Sequence, residues 1–485
     1  MKNTYFLITI LFACLNIRAQ VQVSNLLCEN KINPIGIAVM QPRLSWQLKS
    51  QKRNVIQTAY EIRVSVDEAK DTGKSVWKSG RVNSSQSVHV PYAGIPLKQG
   101  VKYKWQVKVW DNNGKASNWS PEAQWQLGLL SPADWKAKWI EVGYKEDSVS
   151  RPAALFRKSY VLNKKIKSAL AYITSHGIYE AFINGKRVGE NYLTPGWTSY
   201  HKRIQYQMYD VTNLMTTGKN AVGVMLGSGW YRGILGERKN NYGKDLSLLL
   251  QLNIIYEDGT SETVLSDETW KSSTGAVTYS EIYNGETQNA LKEQIGWATA
   301  NFDDSTWSGV QTKNHAKESI ISTENELVKK QEIFKPIKIT ISPKGDKIID
   351  FGQNLVGWVV VKAKGKAGDT ITLSHAEVLD KEGNFYTKNL RTAKQQNIYI
   401  LKGGTEETFE PHFSWQGFRY VKVEGISGEI EMENFTAVAL YSDMEPTGSF
   451  SCSNPLLNQL QSNILWGQKG NLLIYQLIVH NEMNA

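Results

Sequence analysis

Tyr103-Lys104-Trp105-Gln106-Val107-Lys108-Val109-Trp110 alternates apolar and polar residues with a period of two and runs into the turn signal Asp111-Asn112-Asn113-Gly114. Such a stretch is a half-buried β-strand, because successive side chains point to opposite faces of a sheet. The style continues in both directions. Arg43-Leu44-Ser45-Trp46 and Ala59-Tyr60-Glu61-Ile62-Arg63-Val64 precede it. Downstream, residues 171–184 alternate towards Gly185, and Gln251-Leu252-Asn253-Ile254-Ile255-Tyr256 breaks at Glu257-Asp258-Gly259 before residues 261–265. Both are hairpin signals. Trp358-Val359-Val360-Val361, a Gly-rich break over 365–368 and residues 370–374 repeat the pattern. Strands at this spacing predict an all-β chain of tandem β-sandwich domains. No period of fixed length recurs, which excludes a solenoid or propeller.

At 485 residues the chain exceeds what one hydrophobic core organises, so about three domains are expected. With 41% hydrophobic and 21% charged residues it is globular. Its 16 Trp and 22 Tyr beside 38 Gly suit turn-rich β-structure; most of the rings belong in cores, and the remainder suit sugar-stacking surfaces. The formal net charge of +10 comes from scattered Lys and Arg with no dense basic run. That pattern is solvated surface and speaks against a nucleic-acid partner.

Lys2 precedes an apolar run over 5–15, and Ile17-Arg18-Ala19 before Gln20 supplies a cleavage point. Residues 1–19 therefore read as a secretory signal peptide, too short to span a membrane, and the expected location is secreted or periplasmic. Leu11-Phe12-Ala13-Cys14 leaves lipoprotein processing at Cys14 as the alternative. Cleavage leaves Cys28 and Cys452, which lack metal-type spacing and read as isolated thiols, with a disulfide between them left open.

Asp350-Phe351-Gly352 matches the metal-binding triplet of protein kinases, but the chain has neither a Gly-rich phosphate loop nor a catalytic-loop His-Arg-Asp, so that function is excluded. Gly352 and Asn354 instead suit a tight turn feeding a buried strand at Gly357-Trp358. Two other loops carry glycines, polar groups and aromatics together: Asn184-Gly185-Lys186-Arg187-Val188-Gly189-Glu190-Asn191 and Gly227-Ser228-Gly229-Trp230-Tyr231-Arg232-Gly233. A saccharide needs that mixture, since its ring faces stack on aromatics and its hydroxyls need fixed polar partners. The candidate carbohydrate-binding residues are Glu190, Asn191, Trp230, Tyr231, Asn240 and Asn241; the plain alternative is a set of β-turns over a sandwich core. Oxygen atoms of Glu190 and Asn191, with Asn240 and Asn241, also offer ligands for Ca²⁺. No other cofactor is implied. Glycoside hydrolysis needs two carboxyl groups about 5 to 9.5 Å apart, and sequence separation reveals no such pair.

Towards the end, Leu456, Leu457, Leu460, Ile464 and Leu465 recur at three- and four-residue spacing, with Pro455 at a permitted early position, predicting a helix over 454–471. From Leu472 to Ala485 that periodicity is lost, and the apolar residues there have no evident partner.

Read in order, several strings resemble bacterial α-L-rhamnosidases of glycoside hydrolase family 78. They are the fibronectin type III-like start with Ser117-Asn118-Trp119-Ser120, the hairpin Ile183-Asn184-Gly185-Lys186-Arg187-Val188-Gly189, residues 226–233, residues 350–358, Asn384-Phe385-Tyr386-Thr387-Lys388-Asn389-Leu390-Arg391, and Phe413-Ser414-Trp415-Gln416-Gly417-Phe418-Arg419-Tyr420. The resemblance implies a fibronectin type III-like domain over 20–130, then jelly-roll-like sandwiches over 131–320, of carbohydrate-binding type, and 321–445. Residues 446–471 would open a helical (α/α)₆ barrel. It also implies inverting hydrolysis of terminal α-L-rhamnose from rhamnose-containing glycans, with the acid and base in the barrel, so that no catalytic residue is expected before Asn471. The family continues the helix with a string like Asp-Cys-Pro-Gln-Arg-Asp-Glu-Arg. One base added after the codon for Asn471, with suitable synonymous codons, turns the tail into Phe-Ile-Asp-Leu-Pro-Thr-Asp-Cys-Pro-Gln-Arg-Asp-Glu-Arg. The expectation is a frameshifted tail over 472–485 and a truncated, inactive fragment. A non-catalytic rhamnose-binding or adhesin-like secreted protein is the alternative.

Overall fold

A computed structural model of the chain describes residues 21–67, 75–426, 430–473 and 475–476. The expected signal peptide 1–19, with Cys14, and most of the tail 472–485 lie outside the described residues. The chain divides into two compact units, 1–130 and 131–485.

In the first unit the alternating stretch forms the strand Lys102–Asp111, third in a five-stranded sheet between Ala123–Leu127 and Gln57–Val66. Its pleat turns Tyr103, Trp105, Val107 and Val109 into the core and leaves the intervening residues half-exposed. A three-stranded sheet of Gln22–Cys28, Arg43–Lys49 and Val90–Pro91 closes that core with Val23, Leu44 and Trp46. The turn is held by Asp111, whose Oδ1 accepts from the backbone N–H of Asn113 and Lys115 at 2.9 Å. Cys28, buried here, and Cys452, in the second unit, are both free thiols.

The second unit is built on two large sheets. A twelve-stranded sheet runs from the hairpin Ile178–Ile183 and Lys186–Arg187 at one end to Ile204–Asp210 and Ile320–Ser322 at the other. Strands from both ends of that order, among them Ala154–Leu162, Gly218–Gly227, Ile166–His176 and Ser247–Tyr256, bury Phe156, Val224, Ile173 and Leu250 in one core, so the sheet curls over itself. The hairpin over 183–186 forms as expected, with Asn184 and Gly185 at φ +52° and +79°. The second hairpin also forms, with Gln251 opposite Leu265 and Ile255 opposite Ser261.

A ten-stranded sheet uses Lys347–Ala363 as its spine and encloses Ile349, Val359, Val361, Phe418 and Val421. The 350–354 string is not a turn before a strand, as the sequence suggested, but an irregularity inside one. Asp350 faces Tyr420 and Leu355 faces Phe418, so five steps on one strand meet two on the other. Further along, Gly357 at φ +147° comes so close to the next strand that a Cβ there would lie 2.0 Å from the Val438 carbonyl oxygen.

The sheets do not follow a single division of the chain near residue 320. Val277–Glu281 and Gly285–Asn289 leave the first sheet and join the second, Thr287 pairing in parallel with Ile398. The later strand Ile320–Ser322 returns to the first sheet, in parallel with Ile204 to Tyr206. Parallel pairings between remote segments carry no local turn signal, so nothing in the sequence announces this exchange.

Between the sheets lies a shared apolar layer of Ile178, Trp230, Tyr283, Trp358, Phe413, Trp415 and Leu440. Gly227 belongs to this contact: a Cβ there would meet the Phe413 ring at 2.4 Å. The helix Pro455–Asn471 forms with Asn454 capping the Leu456 N–H at 2.9 Å and Trp466 edge-on to Phe334 at 5.5 Å. Leu456, Leu457, Leu460, Ile464 and Leu465 are exposed on it. The expectation that residues from 472 onward find no packing partner is corrected at Leu473, which is 1% exposed and sits in the shared layer.

Charges reinforce the layer. Glu286 accepts from the backbone N–H groups of His412, at 3.1 Å, and Phe413, at 2.9 Å, and from Gln288 at 2.7 Å. His412 Nδ1 lies 3.2 Å from the buried Glu180 of the first sheet. Desolvation opposes charge on His412, but Glu180, with Glu286 and Glu410 behind it, overcomes that and lifts its pKa to about 9. Relative to an ordinary histidine near pKa ~6.5, this pair stabilises the fold fully below that pH and ceases to do so as pH rises through about 9. Urea unfolding of the chain followed by tryptophan fluorescence should therefore lose stability between roughly pH 6.5 and 9. His412→Gln should flatten that slope, and a slope unchanged in the variant would refute the assignment.

Candidate saccharide site

The loop that follows strand Gly218–Gly227 is held from beneath by buried charge. Arg232 Nη1 reaches both Glu146 carboxylate oxygens at 2.7 and 2.6 Å, and Arg151 pairs with Glu281 at 3.0 Å. Arg151 also donates to the Arg232 carbonyl at 2.5 Å and to Asn240 Oδ1 at 2.9 Å, while Glu281 accepts from Ile234 N–H at 2.7 Å. Burial raises the Glu281 carboxyl above its ordinary range although Arg151 pulls it the other way. Two cations and two anions thus compensate one another below the loop, as buried charges require. Above them Leu235 and Arg238 close a small backbone bridge at 2.9 and 3.1 Å.

Facing this loop is the segment around 387–396 of the second sheet. Gln395 N–H donates to the Tyr283 carbonyl at 3.1 Å, and Gln396 and Lys394 N–H bind the Asn284 carbonyl and Oδ1 at 3.0 and 3.1 Å. Arg391 in that segment stands at φ +53°, ψ −100°, which costs an L-residue about 1–3 kcal/mol and is typical of functional loops.

The two loops enclose a cavity of about 640 Å³, within the range of small-molecule sites. Trp197, Tyr242, Tyr283, Asn241, Arg238 and Arg391 are among its lining residues. Trp197 stacks on Trp230 at 5.9 Å with the planes 5° apart, and its Nε1 donates to the Tyr242 hydroxyl at 3.1 Å. Trp230 Nε1 donates to Tyr283 Oη at 3.0 Å, and burial pushes the Tyr283 phenol up to about 12, so it stays protonated. Oriented aromatic walls beside amide and guanidinium groups suit a sugar.

Of the six sequence-derived candidates, Trp230, Tyr231, Asn240 and Asn241 share one loop, whose 231–232 and 240–242 segments pair through the backbone, whereas Glu190 and Asn191 lie apart after the hairpin. Asn241 alone lines the cavity, with its Nδ2 tied to the Gly233 carbonyl at 2.9 Å. Trp230 is 0% exposed and backs the wall, so its ring offers no face to a ligand, which corrects its expected stacking role. Tyr231 spends its face on His176, parallel at 4.6 Å, and His176 is in turn stacked on Trp139 at 4.5 Å. Burial, with His315 and His201, drops the His176 pKa to about 3, so that stack is neutral. Asn240 is engaged by Arg151. Glu190 and Asn191 do not line the cavity; they follow the hairpin, where the Asn191 carbonyl accepts from Arg187 at 2.5 Å. Among the described residues no group of three or more His, Cys, Asp or Glu side chains could hold a metal, so the Ca²⁺ expectation at Glu190 and Asn191 gains no acidic cluster. Sequence reasoning missed Trp197, Tyr242, Tyr283, Arg238 and Arg391. Trp197 follows Thr194-Pro195-Gly196, a turn signal ending in an aromatic, and could have been found.

These placements separate two tryptophans by role. Trp230→Ala should cost about 3–5 kcal/mol of stability, as for a large core residue. Trp197→Ala, at a half-buried residue, should cost roughly 1–2 kcal/mol and remove the ring that lines the cavity. Equal losses in denaturant midpoint for the two variants would contradict the assignment.

Three family models match consecutive parts of the chain: a Rha78A-like N-terminal immunoglobulin domain over 23–131, an α-L-rhamnosidase N-terminal domain over 164–332, and a bacterial α-L-rhamnosidase concanavalin-like domain over 340–441. An α-L-rhamnosidase of Formosa agariphila is 38% identical over 96% of this chain and 52% of its own length. One from Streptomyces avermitilis is 31% identical over 91% of this chain and 59% of its own. The crystal structure of native α-L-rhamnosidase from Aspergillus terreus superposes with a TM-score of 0.89 at 37% identity, over 94% of this chain and 53% of that one. The S. avermitilis enzyme, solved with L-rhamnose, gives 0.87 at 29% identity, over 94% of this chain and 61% of that one. The chain thus spans about half the length of the relatives it matches. Its β-rich fold, its immunoglobulin-like first domain and these three matches in sequence place it in the α-L-rhamnosidase family, glycoside hydrolase family 78.

Proposed function

We propose that the protein to which these residues belong hydrolyses terminal α-L-rhamnose from glycans, with inversion, and that the sandwiches described here hold a saccharide without cleaving it. The observation that carries the first part is the 38% identity with an α-L-rhamnosidase across 96% of the chain. The second part is supported by the cavity lining. Its one carboxylate is Glu237, whereas inversion needs an acid and a base on opposite faces of the sugar. The same feature favours the second reading, a non-catalytic rhamnose-binding protein. Export through residues 1–19 belongs to the proposal, supported by the apolar run after Lys2.

The purified 485-residue chain should leave an aryl α-L-rhamnoside at the no-enzyme rate and bind L-rhamnose weakly in calorimetry, the binding disappearing in Trp197→Ala. Turnover abolished by a substitution in this chain would overturn the non-cleaving part. No heat of binding at millimolar sugar in a folded sample would remove the saccharide pocket. N-terminal sequencing of the exported product should begin at Gln20, and retention of Met1 would refute cleavage.

A further inference from the structure

The charge of the chain is divided unevenly between its two units. Residues 131–485 carry 39 Lys and Arg against 39 Asp and Glu, whereas residues 21–130 carry fifteen against seven, so the first unit alone holds a net +8. Scattered in sequence, several of these cations are gathered by the fold. In the register of the five-stranded sheet Arg63 stands opposite Gln106 on one side and Lys78, on the edge strand Ser75–Lys78, on the other. With Tyr103, Trp105, Val107 and Val109 turned into the core, Lys102, Lys104, Gln106 and Lys108 belong to the outer face. Cations and rings alternate there. Arg63 lies over Trp119 at 4.3 Å, Lys108 lies 4.8 Å from both Trp119 and Trp110, and Arg81 covers Trp110 at 4.8 Å. The five described acids of the unit are engaged elsewhere: Glu29 with Arg43, Glu61 with Lys108, Asp67 and Glu122 with Lys104, and Asp111 with backbone N–H groups. That leaves the exposed Arg63, Lys78 and Arg81 with no acid to answer them among the described residues.

We propose that this face of the first unit holds a linear anionic polysaccharide, one that carries carboxylate or sulfate groups along its chain. Neighbouring strands lie about 4.8 Å apart and alternate residues about 6.7 Å apart along a strand, so the cations form a row on the scale of single sugar residues. The ring contacts hold those cations in place before a ligand arrives, which lowers the ordering cost of binding. They also occupy the faces of Trp110 and Trp119, leaving no platform on which nucleic-acid bases could stack. Along Gln57–Val66, Ser75–Lys78 and Lys102–Asp111 no large apolar side chain is exposed that could insert into a lipid surface. The chain's place in a glycoside hydrolase family makes the polymer a glycan. The site is separate from the cavity of the second unit, and the two readings can fail independently.

The test is binding of the full chain to immobilised polygalacturonate and dextran sulfate, with neutral dextran and duplex DNA as comparators. At least one of the two polyanionic glycans should bind at low salt and neutral dextran should not; the better of the two tells carboxylate from sulfate. Affinity should fall on the order of thirtyfold between about 50 and 200 mM salt, as counterion release from roughly three or four neutralised anions implies. Lys78→Gln with Arg81→Gln should already cost about tenfold, and adding Arg63→Gln should abolish binding, with melting curves reporting which variants remain folded. Lys49→Gln, Lys52→Gln and Lys98→Gln together remove the same charge from other segments of the unit and should change affinity by no more than about twofold. Equal losses in the two triple variants would overturn the proposal by making net charge, not this face, the cause. A folded chain that binds neither anionic glycan would overturn it and leave the cavity of the second unit untouched. Duplex DNA held as tightly as the better glycan would overturn the assignment to a polysaccharide.

Discussion

The shared apolar layer between the two sheets of the second unit is the constraint on which its other features depend. Each sheet has its own interior, but Trp230, Tyr283, Trp358, Phe413 and Trp415 belong to neither alone. Burying such rings contributes about 1.5–3 kcal/mol each, enough in sum to make the two sheets one cooperative body. The contact leaves no slack. Gly227 lies where any side chain would strike Phe413, and the 412–415 segment is pinned by backbone N–H groups donating to Glu286.

The cavity is a consequence of that layer. Its aromatic wall is the outer member of the Trp197–Trp230 stack, and Trp230 is itself a layer residue, so ring orientation at the surface is inherited from packing beneath. Its two rims come from different sheets, and a ligand spanning them would report on how the sheets are docked. Charge does the same for the first rim: Arg151 pairs with Glu281 and Arg232 with Glu146 beneath it, so that desolvation of each group is offset by an opposite charge.

Much of the fold was legible because strands declare themselves locally. Period-two alternation located Lys102–Asp111, and turn chemistry at Asn184-Gly185 and at Asp258-Gly259 located two hairpins. Helical spacing with Asn454 before Pro455 located the helix almost to the residue. The site was much less legible. Trp230 and Tyr231 looked like exposed stacking residues because an aromatic beside glycines in a loop has the same local signature whether its ring points outward or into the protein, and both rings are spent on Trp197 and His176.

By itself, then, the amino-acid sequence determined the β-rich class, the turns, the helix and the motifs that carry the family, all of which depend on residues close together in the chain. The tertiary structure alone decided that residues 277–289 join the later sheet, that 350–354 is a bulge within a long strand, and that Trp197, Asn241 and Arg391 share one cavity. The physical reason is the same in each case. Those outcomes depend on contacts between segments up to about two hundred residues apart, settled by burial of apolar surface over the whole unit, and no local pattern encodes them.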